Sequence, residues 1–357
     1  MLKARAALYS LKSYHPPLGN RQGLRLDFNE NTVGCSPRVL ARLREIDFEN
    51  LARYPEREPG EIVVAKHLGI EPAELLLTNG TDEAIHLVCE TYLEPGDEAI
   101  ICVPTFAMFE IYAAATGARV IPVQAGKDFR FPTQDVLARV NERTRLIAVA
   151  NPNNPTGALA PLKDLLQIAK SAPQVALLVD EAYFEFSGET LMRQWRELPN
   201  LFVSRTFSKA YGLAGLRIGV LAGNDQQMGL ARRVSSPYNL NSVALACLPD
   251  ALADEAYIHA YIGDVLHGRE RLESELRLRG IRYWPSRANF VLMHFGAASA
   301  AFIAAMRGRG ILVRDRSRDP GCDGCVRITL GSGEHNERLF QALSEVLEEI
   351  AATKVTQ

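Results

Sequence analysis

The chain has 357 residues and a formal net charge of −2, with 47% hydrophobic and 23% charged residues, enough to build one large globular domain and a smaller one. That balance gives no electrostatic case for nucleic acid or an anionic membrane surface. No apolar run approaches the roughly 20 residues that span a bilayer, and residues 1–14 lack the apolar core of a secretory signal, so a cytoplasmic location is expected.

Residues 1–24 read as irregular and rich in Pro and Gly, with Tyr14 among them. Asn29-Glu30-Asn31 leads to a turn at Gly34, and Ser36-Pro37 opens a helix as N-cap and first helical residue. Arg53-Tyr54-Pro55 breaks the chain again. The apolar run Leu75-Leu76-Leu77 then meets Asn79-Gly80-Thr81-Asp82 at the start of an amphipathic helix that ends near Tyr92. Free amides and the helix dipole make such a start a phosphate site, although Thr or Asp also caps helices that bind nothing.

Strands are expected over 99–103, 119–123, 146–150, 175–179 and 201–203, with helices over 104–117 and 162–170 between them. Strands that are apolar throughout and alternate with helices predict a mostly parallel sheet sandwiched by helices, an α/β fold. Ligands in such sheets bind at the carboxyl ends of the strands, and the polar motifs fall there. Phe106 follows one strand, as a core residue or a stacking platform. Asn151-Pro152-Asn153-Asn154-Pro155-Thr156-Gly157 follows another and reads as a turn. Asp180 closes a third, three residues before Tyr183. A carboxylate there needs a partner, because unpaired burial is costly; a metal, a helix start or a protonated ring nitrogen would serve.

The organising stretch runs from Ser204 to Gly219, with Lys209 just past the apolar run Leu201-Phe202-Val203. Desolvation and nearby cations push such a lysine's pKa down toward that of a nucleophile. An amine of that kind forms Schiff bases with carbonyls, including the aldehyde of pyridoxal phosphate. Thr206, Ser208 and Arg217 are suited to hold a phosphate beside it.

After Pro249 the pattern changes to a long helical stretch to about 279, strands within 283–295, 311–314 and 326–330, and a last helix over 337–351. That predicts a smaller α+β domain built from both chain ends: an N-terminal segment 1–33, a large domain 34–249 and a small C-terminal domain 250–357. The six cysteines lie mostly in apolar segments, as at Cys89, Cys102 and Cys247, and read as reduced thiols. Cys322-Asp323-Gly324-Cys325 is a lone C-x-x-C with no second pair to complete a zinc site. It reads as loop composition, and no metal is expected.

In this order the motifs resemble those of the fold-type I pyridoxal-phosphate aminotransferases of class II, most of all the histidinol-phosphate aminotransferase branch. The shared segments are N-G-[ST]-D-E at Asn79–Glu83, N-P-x-N-P-T-G at Asn151–Gly157, R-Y-P at Arg53–Pro55 and the lysine stretch, covering most of residues 14–331. The resemblance implies pyridoxal 5′-phosphate as cofactor. Lys209 would hold it and move the proton, Asp180 would face its ring nitrogen, and Asn154 and Tyr183 its phenolic oxygen. Gly80, Thr81, Asp82, Thr206, Ser208 and Arg217 would line its phosphate and ring. Phe106 stands where most members carry tyrosine, which keeps a ring face and loses a hydroxyl.

Arg327 and Arg314 would grip the substrate's anionic groups, with Tyr14, Asn29, Asn154 and Tyr238 also in the substrate pocket. Thr32 replaces the proline of the family's N-E-N-P-x-G. Tyr54 would reach the cofactor phosphate of a neighbouring subunit, which implies a homodimer. The implied partners are a small amino donor and a 2-oxo acid, with histidinol phosphate and 2-oxoglutarate the expected pair in a ping-pong transamination. An aromatic amino-acid aminotransferase, a threonine-phosphate-type decarboxylase and a cofactor-bound regulatory protein are the competing readings.

Overall fold

The computed structural model describes residues 2–355 apart from positions 10, 12, 14, 16–18 and 20. Tyr14 therefore lies outside the described residues. Thirteen strands occur among them: β1 (Leu24–Arg25), β2 (Leu75–Thr78), β3 (Glu98–Val103), β4 (Arg119–Gln124), β5 (Thr144–Ala150), β6 (Ala176–Asp180), β7 (Leu201–Thr206), β8 (Gly219–Gly223), β9 (Tyr283–Trp284), β10 (Phe290–His294), β11 (Ile311–Leu312), β12 (Arg314–Asp315) and β13 (Cys325–Thr329).

Seven of them form the main sheet in the order β2-β8-β7-β6-β5-β3-β4. β3 to β7 pair in parallel with their neighbours, and β8 runs antiparallel to both β7 and β2. Successive side chains alternate between the two faces. Leu77, Ile147, Val149, Leu177, Val179 and Val203 join one hydrophobic cluster, while Leu76, Ile101, Ala148, Leu178, Phe202 and Leu221 join the other. Both faces are covered, so the strands carry no polar alternation, and the mostly parallel helix-sandwiched sheet expected from the sequence is present.

β8 has no counterpart among the expected strands. It is five residues long, begins and ends in glycine, and returns from β7 without a crossover helix, so it must run antiparallel. The expected break after Pro249 also differs, since Pro249 lies inside the helix Ser242–Ala253. That helix buries Ala244, Cys247, Leu248 and Ala251, and the chain breaks instead at Asp254, before the helix Glu255–Leu278.

A second, antiparallel sheet has the order β12-β13-β10-β9, backed by the helix Gly333–Val355 and its neighbour Ser299–Gly308. β1 pairs in parallel with β11. The Leu26 amide donates to the Leu312 carbonyl at 2.9 Å, and the Thr329 amide donates to the Leu26 carbonyl at 3.0 Å. Residues 26–30 are thereby led from the small sheet to the carboxyl ends of the large one. Ser36 caps the helix Pro37–Arg44 as expected, its hydroxyl accepting from the Arg38 amide at 3.1 Å. No described helix is long and apolar enough to cross a membrane.

Candidate active site

A cavity of about 730 Å³ opens where β5, β6 and β7 end, and is roofed by residues 27–30 and by β12 and β13. The first chemistry-bearing group on its floor is Asp180, the last residue of β6. Its carboxylate accepts from the Ser204 hydroxyl at 2.8 Å, and only 5% of the residue is exposed. Burial pushes its pKa up to about 7, and the carboxylates of Asp82 and Glu181 add to the shift. An acid so placed takes its full charge when a cation comes beside it.

Lys209 follows β7 in a tight loop. Burial lowers its pKa to about 8, helped by the cations of Arg327 and Arg217. Its Nζ donates to the Phe28 carbonyl at 3.1 Å and sits 5.9 Å from the Tyr183 ring centre. The Tyr183 hydroxyl accepts from Asn29 Nδ2 at 2.8 Å, and burial holds that phenol above its usual range. Asn29 is fixed in turn by its amide, which donates to the Thr329 hydroxyl at 3.1 Å.

At one end of the cavity the helix Gly80–Tyr92 begins. Gly80 has φ +72, and a Cβ there would lie 2.6 Å from Arg217 Nη2, so backbone and guanidinium close together over the helix start. Arg217 also pairs with Asp82 at 2.9 Å. Beside them the buried Ser208 hydroxyl has no hydrogen-bond partner among the described residues, while the Thr206 hydroxyl accepts from the Ser208 amide at 3.1 Å. A guanidinium, a spare hydroxyl and helix-end amides together make an anion site. Phe106 lines the same cavity beside Thr81, edge-on to Phe109.

The opposite wall is cationic. Arg327 donates to the Asn154 side-chain oxygen and, through Nη2, to the Asp27 carbonyl at 2.8 Å. Its register partner is Arg314. Arg307, Arg316 and Arg318 share that wall with Asp319. Sequence reasoning missed this second set. The alternation Arg314-Asp315-Arg316 beside a paired strand was the signal that could have found Arg316.

Of the residues singled out from the sequence, Thr81, Asp82, Phe106, Asn154, Asp180, Tyr183, Thr206, Ser208, Lys209, Arg217, Asn29, Arg314 and Arg327 all line this one cavity. Tyr54 and Tyr238 do not. They stack on each other with ring centres 4.2 Å apart, 76% and 56% exposed, outside the chain's own cavity. Among the described residues no group of three or more His, Cys, Asp or Glu is arranged to hold a metal ion. Cys322 and Cys325 are buried free thiols packed against Trp284 and Leu292.

The cavity thus carries an anion site at one end, a buried carboxylate on its floor and a low-pKa amine between them. The spare Ser208 hydroxyl and the Arg217 guanidinium over the helix start fit a phosphate, Asp180 fits a protonated ring nitrogen, and Lys209 fits an aldehyde. Pyridoxal 5′-phosphate has those three features in one molecule.

Known proteins agree. The chain is 35% identical over 332 residues to the histidinol-phosphate aminotransferase of Thermoanaerobacter pseudethanolicus, covering 90% of this chain and 93% of that one. It is 36% identical over 340 residues to the enzyme of the same name from a Geobacillus species, covering 91% and 90%. The crystal structure of histidinol-phosphate aminotransferase from Sinorhizobium meliloti in complex with pyridoxal-5′-phosphate superposes with a TM-score of 0.86 at 25% identity, covering 98% of this chain and 99% of that one. The family model for aminotransferase class I and II matches residues 21–343, a span that holds the whole described cavity except His15, and so the chain belongs to that family.

Proposed function

We propose that this protein is a pyridoxal-phosphate-dependent transaminase that moves an amino group between histidinol phosphate and a 2-oxo acid, with 2-oxoglutarate as the expected acceptor, in histidine biosynthesis. The observation that carries the reading is one cavity joining Lys209 and Asp180 to a wall of arginines. A phosphate ester uses several guanidiniums, as do the two carboxylates of glutamate or 2-oxoglutarate, whereas an aromatic amino acid needs one for its carboxylate. The similarity to histidinol-phosphate aminotransferases over nine-tenths of the chain supports the same choice.

In this reading Gly80, Thr81, Ser208 and Arg217 hold the cofactor phosphate, with Asp82 orienting Arg217 and Thr206 shaping the Ser208 loop. Phe106 offers a ring face to the cofactor, and Asn154 and Tyr183 stand at its phenolic oxygen. When bound, the cofactor supplies an electron sink for the carbon that bears the amino group. Asp180, largely buried, would set its negative charge against the ring nitrogen. Lys209, its basicity lowered by burial and by Arg327 and Arg217, would use Nζ to take a proton from the donor's amine-bearing carbon and return it. Arg327 and Arg314 position the anionic substrate, with Asn29 bracing Tyr183.

The wider organisation follows the same reading: a cofactor domain from residue 34 to the break at Asp254, a small domain from the helix Glu255–Leu278 onward, and residues 1–33 joined to the latter. A second copy of the chain completes the site. Tyr54 and Tyr238 are exposed with Phe48 and Leu51, which are 77% and 66% exposed, an apolar surface that a homodimer would cover. Tyr54 would then reach the partner's cofactor phosphate and Tyr238 its substrate pocket. A cytoplasmic location completes the proposal.

The test is steady-state turnover of the cofactor-loaded protein with 2-oxoglutarate, comparing histidinol phosphate, phenylalanine and tyrosine as donors. A large kcat/KM advantage for histidinol phosphate is expected. Equal or better rates with the aromatic amino acids would move the protein to an aromatic aminotransferase. Turnover with none, or carbon dioxide release without an acceptor, would sink transamination itself.

A further inference from the structure

Pairing of β12 with β13 sets Arg314 opposite Arg327 and Asp315 opposite Val326. The Arg316 amide donates to the Cys325 carbonyl at 2.9 Å, so the ladder runs on for one more residue. Side chains alternate along a paired strand, which places Arg314, Arg316 and Arg327 on one face of the ladder, and all three line the cavity. Like charges on neighbouring strands repel, and two of these lie largely out of water: the Arg316 side chain is 12% exposed and Arg327 is 4% exposed.

The described partners of Arg327 are neutral oxygens, the Asn154 amide and the Asp27 carbonyl. The carboxylate that faces the cluster is Asp319, ion-paired with Arg316 across a turn in which the Asp319 amide donates to the Arg316 carbonyl at 3.0 Å. Burial pushes the Asp319 carboxyl up, while Arg316, Arg327 and Arg314 each pull it down. One carboxylate therefore answers two buried guanidiniums. The Nε atoms of Arg316 and Arg327 are both buried without a hydrogen-bond partner among the described residues. Unspent donors on a buried fork are suited to the oxygens of a phosphate.

We propose that Arg316 is a specificity-determining residue that binds the substrate's phosphate, and that Asp319 is the counter-ion it gives up when that phosphate arrives. This inference rests on the histidinol-phosphate reading of the same cavity. The exchange has a built-in threshold. A single carboxylate entering the wall only replaces the one charge that Asp319 gives up, so it gains less than a more highly charged group. A phosphate monoester, with about −1.5 to −2 at neutral pH, gains the charge that Asp319 cannot supply. The ion pair thus selects against monoanionic donors by making them compete for a partner already engaged.

The test compares kcat/KM of the cofactor-loaded dimer for histidinol phosphate and for histidinol, with 2-oxoglutarate as acceptor. Arg316→Gln is expected to cut the preference for the phosphorylated donor by roughly ten- to hundredfold, mostly through KM, the range for losing charge-assisted hydrogen bonds. An Arg316→Gln protein that melts like the wild type and keeps the full preference overturns the inference and leaves the histidinol-phosphate reading standing. A wild-type enzyme with no preference overturns that reading, and the inference with it. Should Arg316→Gln fail to fold, Asp319→Asn carries the test. Inorganic phosphate inhibits it more tightly than wild type if the carboxylate is displaced, and equal or weaker inhibition overturns the exchange.

Discussion

Lys209 and Asp180 are displaced from their ordinary pKa values in directions that favour their neutral forms, and both shifts begin with burial. For Asp180 the folded pKa of about 7 lies above the ordinary 3.8, so folding favours the protonated acid. The contribution is fully present below the lower value and is lost as pH rises through the upper one. At pH 8 the cofactor-free protein therefore bears the cost of an ionised buried carboxylate. Asp180→Asn is expected to raise the melting temperature of the cofactor-free protein by a few degrees at pH 8, with the gain fading toward pH 4. Melting curves across that range check it, and a destabilised variant at pH 8 would contradict it. The same variant should lose turnover by roughly several orders of magnitude if Asp180 is, as proposed, the charge partner of the ring nitrogen. Lys209→Ala should lower steady-state turnover by roughly a thousandfold or more; retained turnover would remove Lys209 from its assigned role.

At the scale of the element, the site depends on how β7, β8 and the helix Gly80–Tyr92 meet. Gly80 holds a left-handed φ directly under Arg217, with no room for a Cβ. Gly80→Ala is expected to weaken cofactor binding by roughly tenfold or more, since backbone strain of about 1–3 kcal/mol and a displaced guanidinium both fall on the phosphate site. Equilibrium titration with pyridoxal phosphate reads the effect, and unchanged affinity would show that the phosphate sits elsewhere. Part of this cavity lining was legible in the sequence because Asp180 and Thr206 end apolar strands and Lys209 closely follows one. Asp180, Thr206 and Lys209 could be placed without seeing the fold, since a buried parallel strand has a single polar exit. β8 was not legible, because a five-residue glycine-bounded strand carries no pattern of its own and is defined by its two neighbours. Arg316 escaped for a related reason. The alternation through Arg314-Asp315-Arg316 is too short to stand out by itself, and the face of Arg316 is set by hydrogen bonding to Cys325 of β13.

For the whole molecule, the proposed homodimer would make the exposed Tyr54–Tyr238 stack half of a shared site. A chain carrying Tyr54→Ala and a chain carrying Lys209→Ala are each expected to be poorly active alone. In the proposed homodimer, co-expression would give hybrids in which one site has both an intact lysine and an intact partner tyrosine. Recovery of activity on mixing supports the shared site, and no recovery in verified hybrids contradicts it.

The roof of the cavity has a consequence in time. Asn29 bonds to Thr329, and Asp27 accepts from Arg327, each across 300 residues of chain. A ribosome adding roughly 5–20 residues per second needs about a quarter of a minute to a minute to make that span. Throughout that interval the segment that will anchor Lys209 and Tyr183 has been made, and its partners do not yet exist. The seven-stranded sheet can assemble strand by strand as it emerges, but the cavity closes only when β13 has been synthesised. A nascent chain stalled shortly before Cys325 should therefore hold its central sheet and still lack a working site.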